Sequence, residues 1–251
     1  MTTLEVRGLT KTYHGVRAVD DVSFTVAAGS TVALVGESGS GKSTLARMIA
    51  ALVRPTAGEV VLTGPDGARV PRRSYRDHVQ MIFQDPFASL NPFHTVAHHL
   101  ARPLRLHGKS ADEIPHLLER VSLDPALASR RPHELSGGQR QRVAIARALA
   151  PGAGVVVADE PVSMLDVSIR LGVLTLLDRL RQEEDLALLH ITHDLATARH
   201  FSDEVLVLHR GRVVERGPSD DVLLRPRDPY TRSLAAAAPN PENRFRLEGP
   251  S

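Results

Sequence analysis

The chain has 251 residues, 42% of them hydrophobic, enough for one sizeable core with a subdomain attached, since a chain of this length buries roughly 70–75% of its unfolded surface. It has no cysteine, which excludes a disulfide framework and cysteine-ligated metal and permits a reducing compartment. Its 31 Lys and Arg against 29 acids leave a net charge of only +2, no footprint for nucleic acid.

The N-terminal Met1-Thr2-Thr3-Leu4-Glu5 lacks the regions of a signal peptide, and no run approaches the ~20 apolar residues of a membrane span, so a cytoplasmic location is expected. A β region is predicted over Leu4–Leu9, Val16–Val26 and Glu59–Leu62, with turns at Ala28-Gly29 and Thr63-Gly64. Flanked by it, Thr31–Val35 is β-branched and apolar enough for a buried parallel strand, and Thr44–Ala50 reads as a helix. Between them lies Gly36-Glu37-Ser38-Gly39-Ser40-Gly41-Lys42-Ser43-Thr44, the phosphate-binding pattern G-x-x-x-x-G-K-[ST] in the strand–loop–helix setting it requires. Without a Cβ at Gly36, Gly39 and Gly41 the backbone can curl so that successive N–H groups point at phosphate oxygens, aided by the helix dipole. Lys42 would bridge the β- and γ-phosphates of a nucleotide, and Ser43 would ligate Mg²⁺.

Val79–Phe83 is strand-like and ends at Gln84; from Pro86 to about Leu135 helical stretches replace strands, such as Val96–Leu106 and Ala111–Val121, the latter with Ile114, Leu117, Leu118 and Val121 on one face. Leu135-Ser136-Gly137-Gly138-Gln139 then precedes the helical run Val143–Leu149. Ser136 suits an N-cap and the glycines admit a ligand to a second helix N-terminus, although alone the same residues make an ordinary helix cap. The apolar strand from Val155 ends in Asp159 and Glu160, where an α/β sheet puts its chemistry. Helix Val167–Glu184, strand Leu186–Ile191 leading to Thr192-His193-Asp194, helix Leu195–Phe201 and strand Val205–Leu208 complete an α/β alternation. The polar, proline-rich tail over 239–251 is expected to be loosely ordered. The basic runs Arg69–Arg76 and Arg140–Arg147 read as solvated faces or phosphate-side charge.

Taken together, these motifs resemble those of the ATP-binding cassette (ABC) ATPases over nearly the whole chain. The resemblance implies an α/β P-loop NTPase core with an N-terminal antiparallel β subdomain and an inserted helical subdomain at about 86–145, in one domain over 1–238. It implies that Ser136, Gly137, Gly138 and Gln139 cap the γ-phosphate on the P-loop of an opposite subunit. Asp159 corresponds to the Walker B aspartate that holds Mg²⁺ through water, and Glu160 to the carboxylate that orients and polarises the attacking water. Gln84 would touch Mg²⁺ or that water, His193 the γ-phosphate, and the aromatic ring of Tyr13 would stack on adenine. Ser163-Met164-Leu165-Asp166 would be the loop along the dimer interface, with Met164 where the family has alanine.

Gln84-Asp85-Pro86-Phe87-Ala88-Ser89-Leu90-Asn91-Pro92, Pro132-His133-Glu134 and Asp228-Pro229-Tyr230-Thr231-Arg232-Ser233-Leu234 look like the dipeptide, oligopeptide and nickel importer ATPases. That likeness implies ATP hydrolysis driving import of a peptide-like solute or metal chelate, at the cytoplasmic face of the membrane. The implied partners are a second ABC ATPase, identical or paralogous, two transmembrane permease subunits and, indirectly, an external solute-binding protein. Phe87–Phe93, with two aromatics and a leucine between prolines, is expected to form an exposed surface on which the membrane subunits dock. A soluble cassette acting on nucleic acid or ribosomes would carry different features; the chain has one cassette, near-neutral charge and no heptad insertion. A scaffold without turnover would lack Glu160 or His193, and both are present.

Overall fold

Two long strands, β1 (Thr3–Tyr13) and β2 (Val16–Val26), alternate apolar and polar residues, so one face is buried by Leu4, Val6, Val22, Phe24 and Val26 while the other meets solvent. The computed structural model describes residues 2–237, apart from the side chains of Phe87 and Ala88; the 239–251 tail lies outside the described residues. β3 (Thr31–Val35) leads into helix α1 (Lys42–Ile49), and β4 (Ala57–Thr63) returns to β1, giving an antiparallel sheet of order β2-β1-β4. β1 runs on past Leu9 to Tyr13 through register shifts, near Gly8 with its φ of +55°.

The second sheet has order β5-β6-β7-β3-β8-β9, formed with β5 (Val79–Ile82), β6 (Val155–Asp159), β7 (Ala187–Ile191), β8 (Glu204–His209) and β9 (Arg212–Pro218). All neighbours are parallel except β9, which folds back on β8 through Arg210-Gly211. Every residue of β3, β6 and β7 is buried. Continuous apolar runs of this kind follow from cover on both faces, by helices on one and by α1 together with the antiparallel sheet on the other. Leu34 pairs with Ile191, and Ile191 with Asp159, so β3, β6 and β7 end in one row and their following loops emerge side by side.

The single-turn helices α2 (Tyr75–His78) and α3 (Pro86–Ser89) flank β5, and α4 (Val96–Leu106), α5 (Ile114–Arg120) and α6 (Gly137–Leu149) form the inserted helical part. Its apolar faces, including Leu100, Leu104, Leu117, Leu118 and Ile145, share one core with Leu174, Leu177 and Leu180 of α7 (Val167–Glu184). Leu90 belongs to this core at 2% exposure, which corrects the expectation that it lies on an exposed docking surface. Phe93 is exposed as expected; the side chains of Phe87 and Ala88 lie outside the described residues. The chain closes with α8 (Leu195–Phe201), α9 (Ser219–Leu224) and α10 (Pro229–Ala237). β9, α9 and α10 have no counterpart among the elements predicted from the sequence. Among the described residues no helix is long and apolar enough to cross a membrane.

β7 buries His190, at 2% exposure, and its Nε2 has no hydrogen-bond partner among the described residues. Burial pushes its pKa down to about 4, partly opposed by the charge of Asp194. Between the ordinary histidine range and about 4 the unfolded chain therefore binds a proton that the folded chain refuses, so stability rises with pH across that window. Stability is expected to fall by up to about 3 kcal/mol as pH drops through it, and His190→Leu should flatten that part of the curve. Urea unfolding midpoints of both proteins between pH 4 and 7 check this; equal slopes would refute it.

Candidate functional site

The P-loop conformation is imposed by glycine. A Cβ on Gly36 (φ +150°) would stand 2.2 Å from the Leu208 carbonyl oxygen, and one on Gly41 (φ +110°) 2.3 Å from that of Ala18. The loop curls over the start of α1, where Lys42 is 6% exposed and its Nζ donates to the carbonyls of Gly36 (2.7 Å) and Glu37 (2.8 Å). Burial lowers the Lys42 pKa, while the charges of Glu160, Asp159 and Glu37 oppose that shift. The β8–β9 turn props the loop from behind: Gly211 N–H donates to the Ser40 carbonyl at 2.9 Å.

Asp159, the last residue of β6, is 8% exposed, and Ser43 Oγ donates to its Oδ1 at 3.4 Å. Burial pushes the Asp159 pKa up; the Ser43 hydrogen bond pulls it down, the neighbouring Glu160 charge raises it further, and Arg47 and Lys42 favour the carboxylate. Glu160 adopts a left-handed backbone (φ +48°), with its N–H donating to the Ile191 carbonyl at 2.9 Å. Its carboxylate is bracketed: Gln84 Nε2 donates to Oε2 at 3.1 Å, and His193 Nδ1 lies 3.3 Å from Oε1. Three loops, after β5, β6 and β7, thus converge on one carboxylate.

These side chains line a cleft of about 470 Å³ together with Ala18, Ser38, Gly39, Gly41, Lys42, Ser43 and Thr44. A larger recess of about 720 Å³ beside β4 holds none of the motif residues, so size does not locate the site. Gly36, Glu37, Ser40 and Asp159 are not among the residues that line the cleft. Ser43 and Asp159 offer a hydroxyl and a carboxylate, the hard oxygens that suit a Mg²⁺ ion keeping most of its waters.

Other expected residues lie outside the cleft lining. Tyr13 is 43% exposed, with Lys11 Nζ 4.9 Å from its ring centroid. Ser136 and Gln139 form a reciprocal capping box on α6: Gln139 N–H donates to Ser136 Oγ (3.2 Å) and Ser136 N–H to Gln139 Oε1 (2.8 Å). Gly137 lies close to Leu165, and a Cβ on Gly138 would meet Ile169 Cγ2 at 2.6 Å, so Gly138 also permits close packing of α6 on α7. Asp166 is the N-cap residue of α7 and its backbone carbonyl accepts from Ile169 and Arg170 N–H. Sequence reading misses Ala18, whose carbonyl abuts Gly41, and Tyr230, whose hydroxyl accepts from Glu37 N–H at 3.0 Å.

The ABC transporter family matches residues 19–163. The chain is 48% identical to the probable peptide ABC transporter ATP-binding protein y4tS of Sinorhizobium fredii, over 94% of this chain and 69% of the relative. It is 44% identical to the di/tripeptide transport ATP-binding protein DppF of Pseudomonas aeruginosa, over 93% of this chain and 75% of that one. Its fold is similar to the dimeric post-hydrolysis structure of the ATP-binding cassette MJ0796 bound to ADP and Pi, with TM-score 0.73 and 29% identity over 86% of this chain and 98% of that chain.

Proposed function

The chain belongs to the ABC transporter family, and from that premise we propose that it is the ATP-binding and ATP-hydrolysing subunit of an importer for peptide-like solutes or metal chelates. The observation that carries this reading is the convergence of Gln84, Glu160 and His193 on a cleft floored by the P-loop. Peptide-like cargo is supported by the names of y4tS and DppF. The position of Ser136–Gln139 outside the chain's own cleft supports their use on a second subunit's nucleotide, as does the dimeric state of the MJ0796 structure. Two membrane permease subunits and, indirectly, an external solute-binding protein complete the proposed complex, at the cytoplasmic face of the membrane; nucleic acid has no part in it.

In the mechanism proposed, the P-loop N–H groups and Lys42 hold the phosphates, with Lys42 kept in place by the Gly36 and Glu37 carbonyls. Glu160 accepts a proton from the water whose oxygen bonds to the γ-phosphorus as the bond to the β–γ bridging oxygen breaks and ADP leaves with that electron pair, and Gln84 orients its carboxylate from one side. His193, on the other side, donates to the γ-phosphate. Ser43, Asp159 and Gln84 would hold Mg²⁺, which supplies positive charge against the phosphate oxygens when bound. Tyr13 is assigned to the adenine face and Asp166 to the subunit interface.

Reconstituting the chain with the adjacent-gene permeases and paralogous ATPase in vesicles should give Mg²⁺-dependent ATP hydrolysis and ATP-dependent uptake of labelled dipeptide, oligopeptide or nickel chelate. ATP binding without turnover in the full complex would overturn the hydrolytic assignment. Turnover without uptake of any of these would overturn the cargo class.

A further inference from the structure

We infer that Tyr230, on the C-terminal helix α10, is a positioning residue for the P-loop, acting through the Gly36–Glu37 peptide that holds Lys42. That single peptide unit is gripped at both ends. Its carbonyl, on Gly36, accepts from Lys42 Nζ at 2.7 Å; its N–H, on Glu37, donates to the Tyr230 hydroxyl at 3.0 Å. Rotating this plane would swing the carbonyl away from the ammonium group, so the phenol sets where Lys42 rests. The contact joins residues 193 apart in sequence, and it ties α10 to the nucleotide cleft.

The tyrosine is itself held firmly. Its ring lies flat on the imidazole of His209, with centroids 3.8 Å apart and planes 3° from parallel. His209 follows Leu208, whose carbonyl forbids a side chain at Gly36, so the end of β8 bears on the first turn of the P-loop both directly and through the phenol. Asp228 caps the start of α10, accepting from Tyr230 N–H at 2.8 Å and Thr231 N–H at 3.4 Å. Glu215 of β9 in turn accepts from the N–H groups of Arg227 (2.8 Å) and Asp228 (3.1 Å). A chain of hydrogen bonds thus runs from the edge strand through the D-P-Y turn to the P-loop.

The hydroxyl and the ring are separable. Tyr230→Phe keeps the stack on His209 and removes only the acceptor for Glu37 N–H. The clamp acts on the binding loop and not on the reacting atoms, so its loss weakens ground-state and transition-state binding alike, raising KM with little change in kcat. The loss of one such hydrogen bond corresponds to a ~3–10-fold weaker affinity for ATP.

This inference rests on the nucleotide reading of the cleft, and the test separates the two. ATP affinity by calorimetry, steady-state kcat and KM, the thermal midpoint and amide exchange at Glu37 are measured for the wild-type full chain, Tyr230→Phe and Tyr230→Ala. The expected result is a wild-type protein that binds ATP and a Phe variant of unchanged midpoint, with raised Kd and KM, near-normal kcat and lost protection at Glu37. The Ala variant should be weaker still. If the wild-type chain binds no ATP, the nucleotide reading fails; if it binds and Tyr230→Phe matches it in Kd, KM and Glu37 exchange, the positioning role is overturned. A Phe variant that loses only thermal stability, with Kd intact, also overturns it, since Tyr230 would then merely anchor α10.

Discussion

Lys42→Ala is expected to leave the fold intact and to reduce ATP turnover by about 10²-fold or more, the cost typical of deleting one preorganised donor aimed at developing charge. ATP affinity should fall as well, because charge-assisted hydrogen bonds to phosphate are lost. The variant removes the ammonium of the cleft lining and leaves the Gly36 and Glu37 carbonyls without their shared donor. The ammonium is already desolvated, with its pKa held down by burial, so little reorganisation is needed when phosphate arrives. A phosphate-release assay on protein of unaltered circular dichroism checks this, and wild-type turnover would contradict the assignment of the P-loop.

Glu160→Gln separates binding from chemistry. The substitution preserves volume, keeps an acceptor for Gln84 and removes the base, so hydrolysis should slow by about 10²–10⁴-fold while MgATP remains bound. With nucleotide trapped, a closed dimer should accumulate in size-exclusion chromatography, alone or with the paralogous ATPase. Unchanged hydrolysis would remove Glu160 from the chemistry; slow hydrolysis with no more dimer than wild type in either mixture would count against the two-subunit sandwich.

Much of this arrangement is legible in the amino-acid sequence, for reasons that differ from residue to residue. The P-loop is local: glycines, lysine and serine at fixed spacing between a buried strand and a helix carry their own geometry. Gln84, Glu160 and His193 are far apart in the chain, and their meeting follows from the sheet order β5-β6-β7, which sets three strand ends side by side. The sequence signals that order only through resemblance to a family. Leu90 misleads because the prolines and aromatics around it have the look of an exposed loop, whereas the one-turn helix α3 turns Leu90 into the core shared with α6. β9 escapes notice because Arg212, Glu215, Arg216 and the final Gly217-Pro218 give it the polar, broken character of an edge strand. Tyr230 stands out in the sequence only as part of a signature, since a tertiary contact to a backbone N–H leaves no periodic trace.

Glu160 shows how function and folding pull apart at one residue. Its φ of +48° is a conformation in which glycine would be at ease and a side chain sits at a local cost of roughly 1 kcal/mol or more. Glycine would relieve that cost here, as it would at the six other non-glycine residues of positive φ among the described residues, Ala51 and Ser122 included. In the proposed mechanism the carboxylate is what that strained backbone carries, so a screen for thermostable variants of this chain is prone to return glycine at position 160 and with it a loss of turnover.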